Sequence, residues 1–349
     1  MSILAMVHGY TTGGYMDIPL KVTEHGLFCT SGNFHIDAWK PTPVCVVTHA
    51  HGDHAYWGHG LYIASPETIK IIQHRISKDI PYQVLDYDQK IKLGNSWVSL
   101  HPAGHILGSS QIRIENSKGV TVISGDYKRA PDPTCNLFEV VECDIFVTES
   151  TFALPIYQWP KNEIIEKQIF EWWQENAMNE HPSILFCYAL GKAQRVMNML
   201  GRQTDKTVHL HGAVYSLSKL YKEMGIELIQ FAPVSESAKG TSFKQDLIIA
   251  PPSAAGSPWM KRFPSSRTAF ASGWMEVRGT RRRKALDRGF VLSDHADWTG
   301  LVRTIEETKA KIVLTTHGNS ATLAQYLREA KGIDARELKG LEANFEEED

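Results

Sequence analysis

Four residues of the types that bind transition metals fall within six positions of the segment Thr-His-Ala-His-Gly-Asp-His, residues 48–54. Imidazole and carboxylate groups suit zinc and similar metals. The first two histidines are two residues apart, so both side chains point the same way in an extended chain. The glycine permits a turn before the second pair. The spacing predicts that one pair binds one metal and the next pair a second metal beside it. These residues are His49, His51, Asp53 and His54.

Composition leaves room for one large domain or two ordinary ones in 349 residues. The formal net charge is −2, so a surface for a polyanion must be a local patch. The five cysteines form no CxxC pair, which indicates reduced thiols in a cytosolic protein. No signal-peptide pattern is present and no apolar run reaches about 18 residues. We therefore expect a cytoplasmic protein with no membrane partner.

Polar residues suited to metal or acid–base chemistry recur directly after strand-like runs. Such runs occupy residues 34–36, 120–124, 144–148 and 311–316. A carboxylate at a strand end can bridge two cations about 3.5–4 Å apart. Each residue alone would be interpreted as a turn, capping or core residue. The residues that follow the runs are Asp37, Asp126, Glu149 and His317.

The character of the chain changes at Pro155. Helix-like and strand-like segments then alternate, which predicts a parallel α/β unit over residues 156–285. The unit has predicted helices at 161–178, from 192 to about 200 and at 214–224, and predicted strands at 183–190, 208–210 and 246–250. His209 and His211 repeat the HxH spacing here without a following DxH, so we interpret them as strand residues.

In this order, the motifs HxHxDH, AGHxLG, SGD, a strand-end glutamate, SDHAD and THG resemble the β-CASP branch of the metallo-β-lactamase superfamily. The resemblance implies an α/β fold: a metallo-β-lactamase αββα sandwich of residues 1–155 and 288–349, with an inserted β-CASP α/β domain of residues 156–287. The compact length and the segments TESTF, ASGWM and SDHADW are most similar to the bacterial DNA-ligase-associated exonucleases.

The resemblance also implies a ligand set for two divalent metal ions, with zinc preferred and manganese as the alternative. The first metal is assigned to His49, His51, His105 and Asp126. The second is assigned to Asp53, His54, the bridging Asp126 and His317. Asp37 supports the ligand loop from outside. His105, rather than the nearby His101, lies in the segment similar to the superfamily's third motif, so His101 is interpreted as structural.

The activity implied is that of a DNA exonuclease in DNA repair, in which a metal-activated hydroxide attacks the phosphate. The catalytic residues would be Asp53, His295 and Glu149, with His295 donating a proton or positioning the phosphate and Glu149 orienting its ring. An RNA-processing nuclease of the mRNA 3′-end or RNase J type is the first alternative, because no residue identifies the sugar. A non-catalytic nucleic-acid-binding scaffold is the second. A small-molecule hydrolase is disfavoured by the inserted domain.

Residues 261–288 contain nine basic and two acidic side chains, a local excess of +7. Such a run is often a solvated helix face, but its place before the His295 motif favours contact with phosphates. The pair Gly191-Lys192 could present backbone N–H groups to a phosphate. The candidate contacts are Lys192, Arg278, Arg281, Arg282, Arg283 and Lys128. The expected partner is single-stranded or end-containing DNA, with RNA as the alternative; the resemblance also implies functional association with a DNA ligase and a helicase.

Overall fold

The computed structural model describes residues 18–238, 240–277 and 286–341. Within these ranges the chain forms 19 strands in three sheets and six α-helices. Four short 3-10 helices are at Val234–Glu236, Pro252–Ala254, Pro258–Arg262 and Gly273–Glu276. No helix of the described ranges combines the length and the apolar character needed to cross a membrane.

The first sheet follows the chain in its strand order. Its strands are β1 Leu20–Thr23, β2 Gly26–Cys29, β3 Phe34–Ile36, β4 Cys45–Val46, β5 Tyr62–Ala64 and β6 Tyr82–Val84. β1 to β3 are antiparallel, and β3 to β6 are parallel. Helix α1, Pro66–Arg75, follows β5, and the Ser65 hydroxyl accepts a hydrogen bond from the Thr68 amide at its N-terminus.

The second sheet contains seven strands from two distant parts of the chain. They are β7 Lys90–Leu93, β8 Ser96–Pro102, β9 Ser110–Asn116, β10 Gly119–Ile123, β11 Ile145–Glu149, β18 Ile312–Thr316 and β19 Asp334–Glu337. The order is β19-β18-β11-β10-β9-β8-β7, with β10, β11, β18 and β19 parallel. Helix α5, Trp298–Glu307, precedes β18, and α6, Ser320–Lys331, connects β18 to β19. β18 therefore pairs with β11 although more than 160 residues separate them.

The third sheet is formed by the stretch between β11 and β18 and is wholly parallel. Its strands are β12 Ser183–Phe186, β13 Val208–Leu210, β14 Phe231–Pro233, β15 Leu247–Ala250, β16 Arg267–Ala271 and β17 Arg288–Phe290. Helices α2 Asn162–Met178, α3 Lys192–Gly201 and α4 Gly212–Glu223 belong to this stretch. β17 pairs with β16, so this sheet extends three residues past the boundary expected at 287.

Two of the sequence-based interpretations in this stretch need correction. The apolar run 183–190 is a strand only to Phe186: the Cys187 amide still bonds to Ala250, and the chain then turns at Gly191 to begin α3. His209 is a strand residue as predicted, but His211 is the N-cap of α4, where its ring accepts a hydrogen bond from the Ala213 amide.

The first and second sheets share one apolar core, to which Phe34 and Ile63 contribute from the first sheet and Ile114 and Leu314 from the second. α1 and α4 pack on the outer face of the first sheet. α5 and α6 pack on the outer face of the second sheet. Each fully buried aliphatic or aromatic side chain contributes about 1.5–3 kcal/mol relative to exposure. These cores hold the strand ends that carry the polar residues.

Candidate metal centre

The parallel strands of the second sheet bring three separated polar residues together. Asp126 follows β10, Glu149 ends β11 and His317 follows β18, and the register places Glu149 directly opposite Thr316. Because parallel strands end at one edge of a sheet, residues almost 200 positions apart share one site. His317 has a left-handed backbone with φ 56°, and a Cβ on Gly318 would lie 2.5 Å from the Ser150 carbonyl oxygen, so the chain passes closely here.

Asp37 and Thr48 fix the loop that follows β4. The Asp37 carboxylate accepts hydrogen bonds from the Thr48 amide at 2.7 Å and the Thr48 hydroxyl at 2.6 Å. Gly125 has φ 55°, and a Cβ there would lie 2.7 Å from the Thr48 Cβ, so only glycine allows the segment before Asp126 to approach this loop. Asp37 thus supports the loop from outside the cluster of candidate ligands, where the sequence motif placed it.

Three histidines each use one ring nitrogen to donate a hydrogen bond to a group outside the cluster. The lone pair on the other ring nitrogen then faces the interior of the cluster. The His51 Nε2–H donates to the Leu190 carbonyl at 3.2 Å, and the His105 Nδ1–H donates to the Asp294 carbonyl at 2.7 Å. The Thr48 hydroxyl donates to Asp37, so it accepts from the Nδ1–H of His49 at 3.0 Å. In the neutral rings, the other nitrogen of each histidine is therefore an acceptor.

These three acceptor nitrogens point at one another. His51 Nδ1 lies 3.1 Å from both His49 Nε2 and His105 Nε2, and the Asp126 carboxylate lies 3.5 Å from His49 Nε2. Burial lowers the pKa of His49 and His105 well below the ordinary value, which favours neutral rings. Lone pairs at this separation repel unless a cation lies between them. The four side chains offer donor atoms within 4.8 Å of one another and fit a transition metal ion.

A second group of donors lies on the other side of Asp126. The His54 Nδ1–H donates to Asp37 at 2.8 Å, and His54 Nε2 lies 3.4 Å from Asp126 and 3.5 Å from Asp53. The His317 ring lies 5.9 Å from the His54 ring, centroid to centroid. Burial alone would lower the pKa of His54, but the charges of Asp53, Asp126 and Asp37 raise it well above its ordinary value. This group therefore attracts positive charge, and Asp126 lies between it and the three-histidine group.

His295 and Glu149 form a hydrogen-bonded pair at the edge of the cluster. The His295 Nδ1–H donates to the Glu149 carboxylate at 2.7 Å, and the Tyr127 amide donates to the other Glu149 oxygen at 2.8 Å. The His295 ring lies 4.7 Å from the His105 ring, centroid to centroid. Glu149 is buried, whereas the His295 side chain is 21% exposed and faces the cleft. The pair can present a proton to a molecule that binds beside Asp126.

A cleft of about 690 Å³ contains this cluster. One side is lined by the candidate ligands other than the fully buried His49, and the other by Tyr188, Lys192 and Trp274 from the stretch that forms the third sheet. Trp274 packs on Phe152 with ring centroids 4.7 Å apart, so its ring belongs to the apolar packing as well as to the cleft wall.

The candidate nucleic-acid contacts are distributed unevenly. Lys192 lines the cleft, although it is 2% exposed and its ammonium lies 3.4 Å from Asp294. Lys128 is 1% exposed and donates to Asp132 at 2.6 Å, so it faces the interior and does not form a surface contact. Four of the expected contacts lie outside the described residues: Arg278, Arg281, Arg282 and Arg283.

Two histidines that the sequence set aside remain apart from the cluster. His101 bonds to Glu139 at 3.1 Å and to the Ser99 hydroxyl, and lies 3.5 Å from Asp88. His209 lies 3.6 Å from Asp246. Sequence reasoning missed Arg195 and Asp294, which contact the site through buried ion pairs. The signal for Arg195 in the sequence was a pair of cations, at 192 and 195, in a helix whose other buried residues are apolar except for Gln194.

In the metal-free protein, the His295 ring should titrate with a pKa of about 9. Burial lowers this pKa, but Glu149 and Asp126 together raise it above the ordinary histidine value. The charged pair with Glu149 should therefore be complete below neutral pH and be lost as the pH rises through about 9. The substitution Glu149→Gln keeps an acceptor but removes the charge, so it should lower the pKa.

Histidine ring NMR in the presence of a chelator measures this titration. The matched control is Glu139→Gln, which removes the carboxylate partner of His101 and should leave the His295 titration unchanged. An unaltered His295 pKa in Glu149→Gln would contradict the assigned pairing.

Comparison with known proteins gives relatives that match different shares of the chain. No family model matches the sequence. A probable DNA ligase from Opitutus terrae is 32% identical over 314 residues, which cover 89% of this chain and 30% of that protein. An RNase J-like protein from Methanocaldococcus jannaschii is 23% identical, covering 52% of this chain and 50% of that protein. A protein of unknown function from Enterococcus faecalis has a crystal structure that matches with a TM-score of 0.54 at 14% identity, over 79% of this chain and 75% of that chain.

The chain spans half or less of the length of these two curated relatives. The solved structure shares the fold. The RNase J-like protein is one of several matching relatives that are named as ribonucleases and belong to one family. The chain therefore belongs to the β-CASP branch of the metallo-β-lactamase superfamily.

Proposed function

We propose that this protein is a metal-dependent nuclease that acts as a DNA exonuclease in DNA repair. The proposal rests on one observation. The lone pairs of three histidines point at one another beside Asp126, and the hydrogen-bonded pair of His295 and Glu149 lies next to them. A cation site next to a proton donor is what phosphodiester hydrolysis requires, because negative charge develops on the phosphate and the leaving oxygen needs a proton.

The proposed architecture is an αββα metallo-β-lactamase sandwich of residues 1–155 and 288–349, interrupted by a β-CASP domain of residues 156–287. Two facing sheets with helices on both outer faces support the first part. The separate parallel sheet supports the second, with the boundary moved to Phe290. On this proposal the cleft between the two parts receives the nucleic acid.

Two divalent ions fit the two donor groups, one at His49, His51, His105 and Asp126, and the other at Asp53, His54, Asp126 and His317. When bound, such ions supply positive charge to the phosphate and lower the pKa of a water molecule. Zinc suits the imidazole-rich group, and manganese is the alternative. Asp126 contributes to both groups, and Asp37 keeps His54 oriented through its Nδ1–H. His295 holds the proton for the leaving oxygen, and Glu149 fixes the orientation of the His295 ring.

DNA is the proposed substrate because the relative that matches 89% of this chain is named a probable DNA ligase. The match covers only 30% of that protein, so a segment similar to this chain is joined there in one polypeptide to the rest of a probable DNA ligase. This arrangement also supports a functional association between this chain and a DNA ligase. An RNA-processing activity is the second candidate, since the RNase J-like protein and several further relatives are named as ribonucleases.

Matched DNA and RNA oligonucleotides, each labelled at the 5′ or the 3′ end, would distinguish these activities. We expect chelator-sensitive release of mononucleotides from DNA, restored by Zn²⁺ or Mn²⁺. Comparison of the two labels, with and without a 5′-phosphate, gives the polarity. Exclusive cleavage of RNA would favour the second candidate, whereas binding without any cleavage in either metal would indicate a scaffold.

Reversal of charge at Arg281, Arg282 and Arg283 should weaken DNA binding more than it slows hydrolysis. These arginines lie in the densest part of the basic run, and phosphate contacts release condensed counterions. The slope of log K against log salt should fall by about 0.7 for each lost single-strand contact. Saturating DNA should restore most of the rate, because the metal ligands are unchanged.

Binding is measured by fluorescence anisotropy over a salt series. The matched control reverses Lys167, an exposed cation on α2 that pairs only with Glu171 among the described ion pairs. An unchanged salt slope in the arginine variant would mean that these side chains form a solvated face.

A further inference from the structure

Five charged side chains form a buried cluster between α3 and the segment that carries His295. Three are cations and two are carboxylates, and each is at most 4% exposed. The members of this buried charge cluster are Lys128, Asp132, Lys192, Arg195 and Asp294. Burial of charges in this number is unfavourable unless their geometry is well defined. A cluster of this kind at a junction beside a reactive site invites a functional explanation.

Arg195 makes four polar contacts, two of them with carboxylates of this cluster. One guanidinium nitrogen donates to the Ser293 carbonyl at 2.6 Å and to the Asp294 carboxylate at 2.8 Å. The other donates to the Asn162 side chain at 2.6 Å, and Nε lies 3.6 Å from Asp132. The planar guanidinium thus fixes two consecutive residues of the 293–295 segment to helices α2 and α3.

The 293–295 segment in turn holds two residues of the candidate active site. The Asp294 carbonyl accepts the Nδ1–H of His105, which determines the ring nitrogen that faces the other histidines. The next residue is His295, whose amide donates to the Ser293 hydroxyl. Lys128 donates to the His105 carbonyl at 3.2 Å, so His105 is held from two directions by the same cluster. Displacement of this segment would move a candidate metal ligand and the proton donor together.

We propose that Arg195 is a positioning residue, which acts through Asp294 to align His105 for metal binding and His295 for proton donation. The proposal rests on the metal-dependent function proposed above. Arg195 lies on α3, so the stretch that forms the third sheet would contribute to the chemistry as well as to the wall of the cleft. Arg195 contacts no substrate in this scheme. Its effect reaches His105 through the Asp294 carbonyl group, and it reaches His295 through the peptide bond between Asp294 and His295.

The substitution Arg195→Lys tests this role, because lysine keeps the charge but cannot reproduce three directed hydrogen bonds. Residues that support metal ligands typically change metal affinity or activity by about 10- to 100-fold when altered. We expect the zinc-loaded variant to transfer Zn²⁺ to a chromophoric chelator about 10–100 times faster, and kcat on DNA to fall by a similar factor. KM should change little, because the cleft surface is retained.

The control is Arg202→Lys at the C-cap of the same helix, where Arg202 is 46% exposed and pairs with Glu166 of α2. It should leave both Zn²⁺ transfer and kcat as in the parent. If Arg195→Lys does not fold, Asn162→Ala tests the same positioning role, because it removes only one hydrogen-bond partner of the Arg195 guanidinium. It should produce a smaller change in the same direction.

A lower melting temperature with parental Zn²⁺ transfer and parental kcat would overturn the proposal, because Arg195 would then serve stability alone. The Zn²⁺ measurement does not depend on nuclease activity. If the parent holds zinc but cleaves no nucleic acid, the proposed function fails, and faster Zn²⁺ loss from Arg195→Lys would still support the positioning of His105.

Discussion

Asp126→Ala should abolish hydrolysis while the fold survives. Asp126 is the carboxylate that the two donor groups share: it lies 3.5 Å from His49 Nε2 and 3.4 Å from His54 Nε2. Loss of this carboxylate leaves converging nitrogen lone pairs with no shared anion, so two divalent cations can no longer be held side by side. We expect kcat to fall by at least about 10²–10³-fold, the effect of removing one preorganised electrostatic contact.

The measurement combines turnover with metal content per chain. We expect the variant to retain fewer divalent ions than the parent, with a parental far-UV spectrum, because the apolar cores do not involve this residue. Asp79→Ala removes an exposed aspartate after α1 and serves as the matched control. Near-parental turnover with unchanged metal content in Asp126→Ala would rule out the two-metal scheme.

Much of the fold follows from local patterns in the sequence. The amphipathic pattern over 161–178 predicted a helix, and the structure has one at Asn162–Met178. The prediction of alternating helices and parallel strands after Pro155 is confirmed by the third sheet. The errors lie at element ends, as at Cys187, where an apolar run continues beyond the last ladder hydrogen bond. Hydropathy cannot locate such an end because the following residues, Tyr188 to Leu190, are also apolar and at least partly buried.

The candidate site could be predicted where side-chain identity carries the information. Residues 48–54 and Asp126 provide ligand types in a recognisable order, although they follow strands of two different sheets. The carbonyl groups of Leu190 and Asp294 could not be predicted in the same way, because any residue supplies a carbonyl. Lys128 illustrates the related difficulty for charge: its sequence context resembles that of an exposed cation, whereas its partner Asp132 lies inside the protein.

The substitution His295→Ala should lower kcat by about 10²–10⁴-fold, the usual contribution of one general acid. His295 donates to Glu149 through Nδ1, so the other ring nitrogen is free of this pairing and the ring faces the cleft. His295 is in neither proposed ligand set, so metal content should stay at the parental level. KM should change less than kcat if the ring contributes mainly in the transition state.

A substrate with a better leaving group separates proton donation from other roles of His295. The p-nitrophenyl ester of thymidine monophosphate releases p-nitrophenolate, which needs no proton, so His295→Ala should lose far less activity on it than on DNA. His74→Ala, which removes an exposed histidine near the end of α1, is the control and should leave both substrates at parental rates. Equal losses on the two substrates would show that His295 positions the phosphate and does not donate the proton. Loss of metal from His295→Ala would instead place its ring among the ligands, as the convergence of Asp126, Glu149 and His295 within 4.8 Å allows.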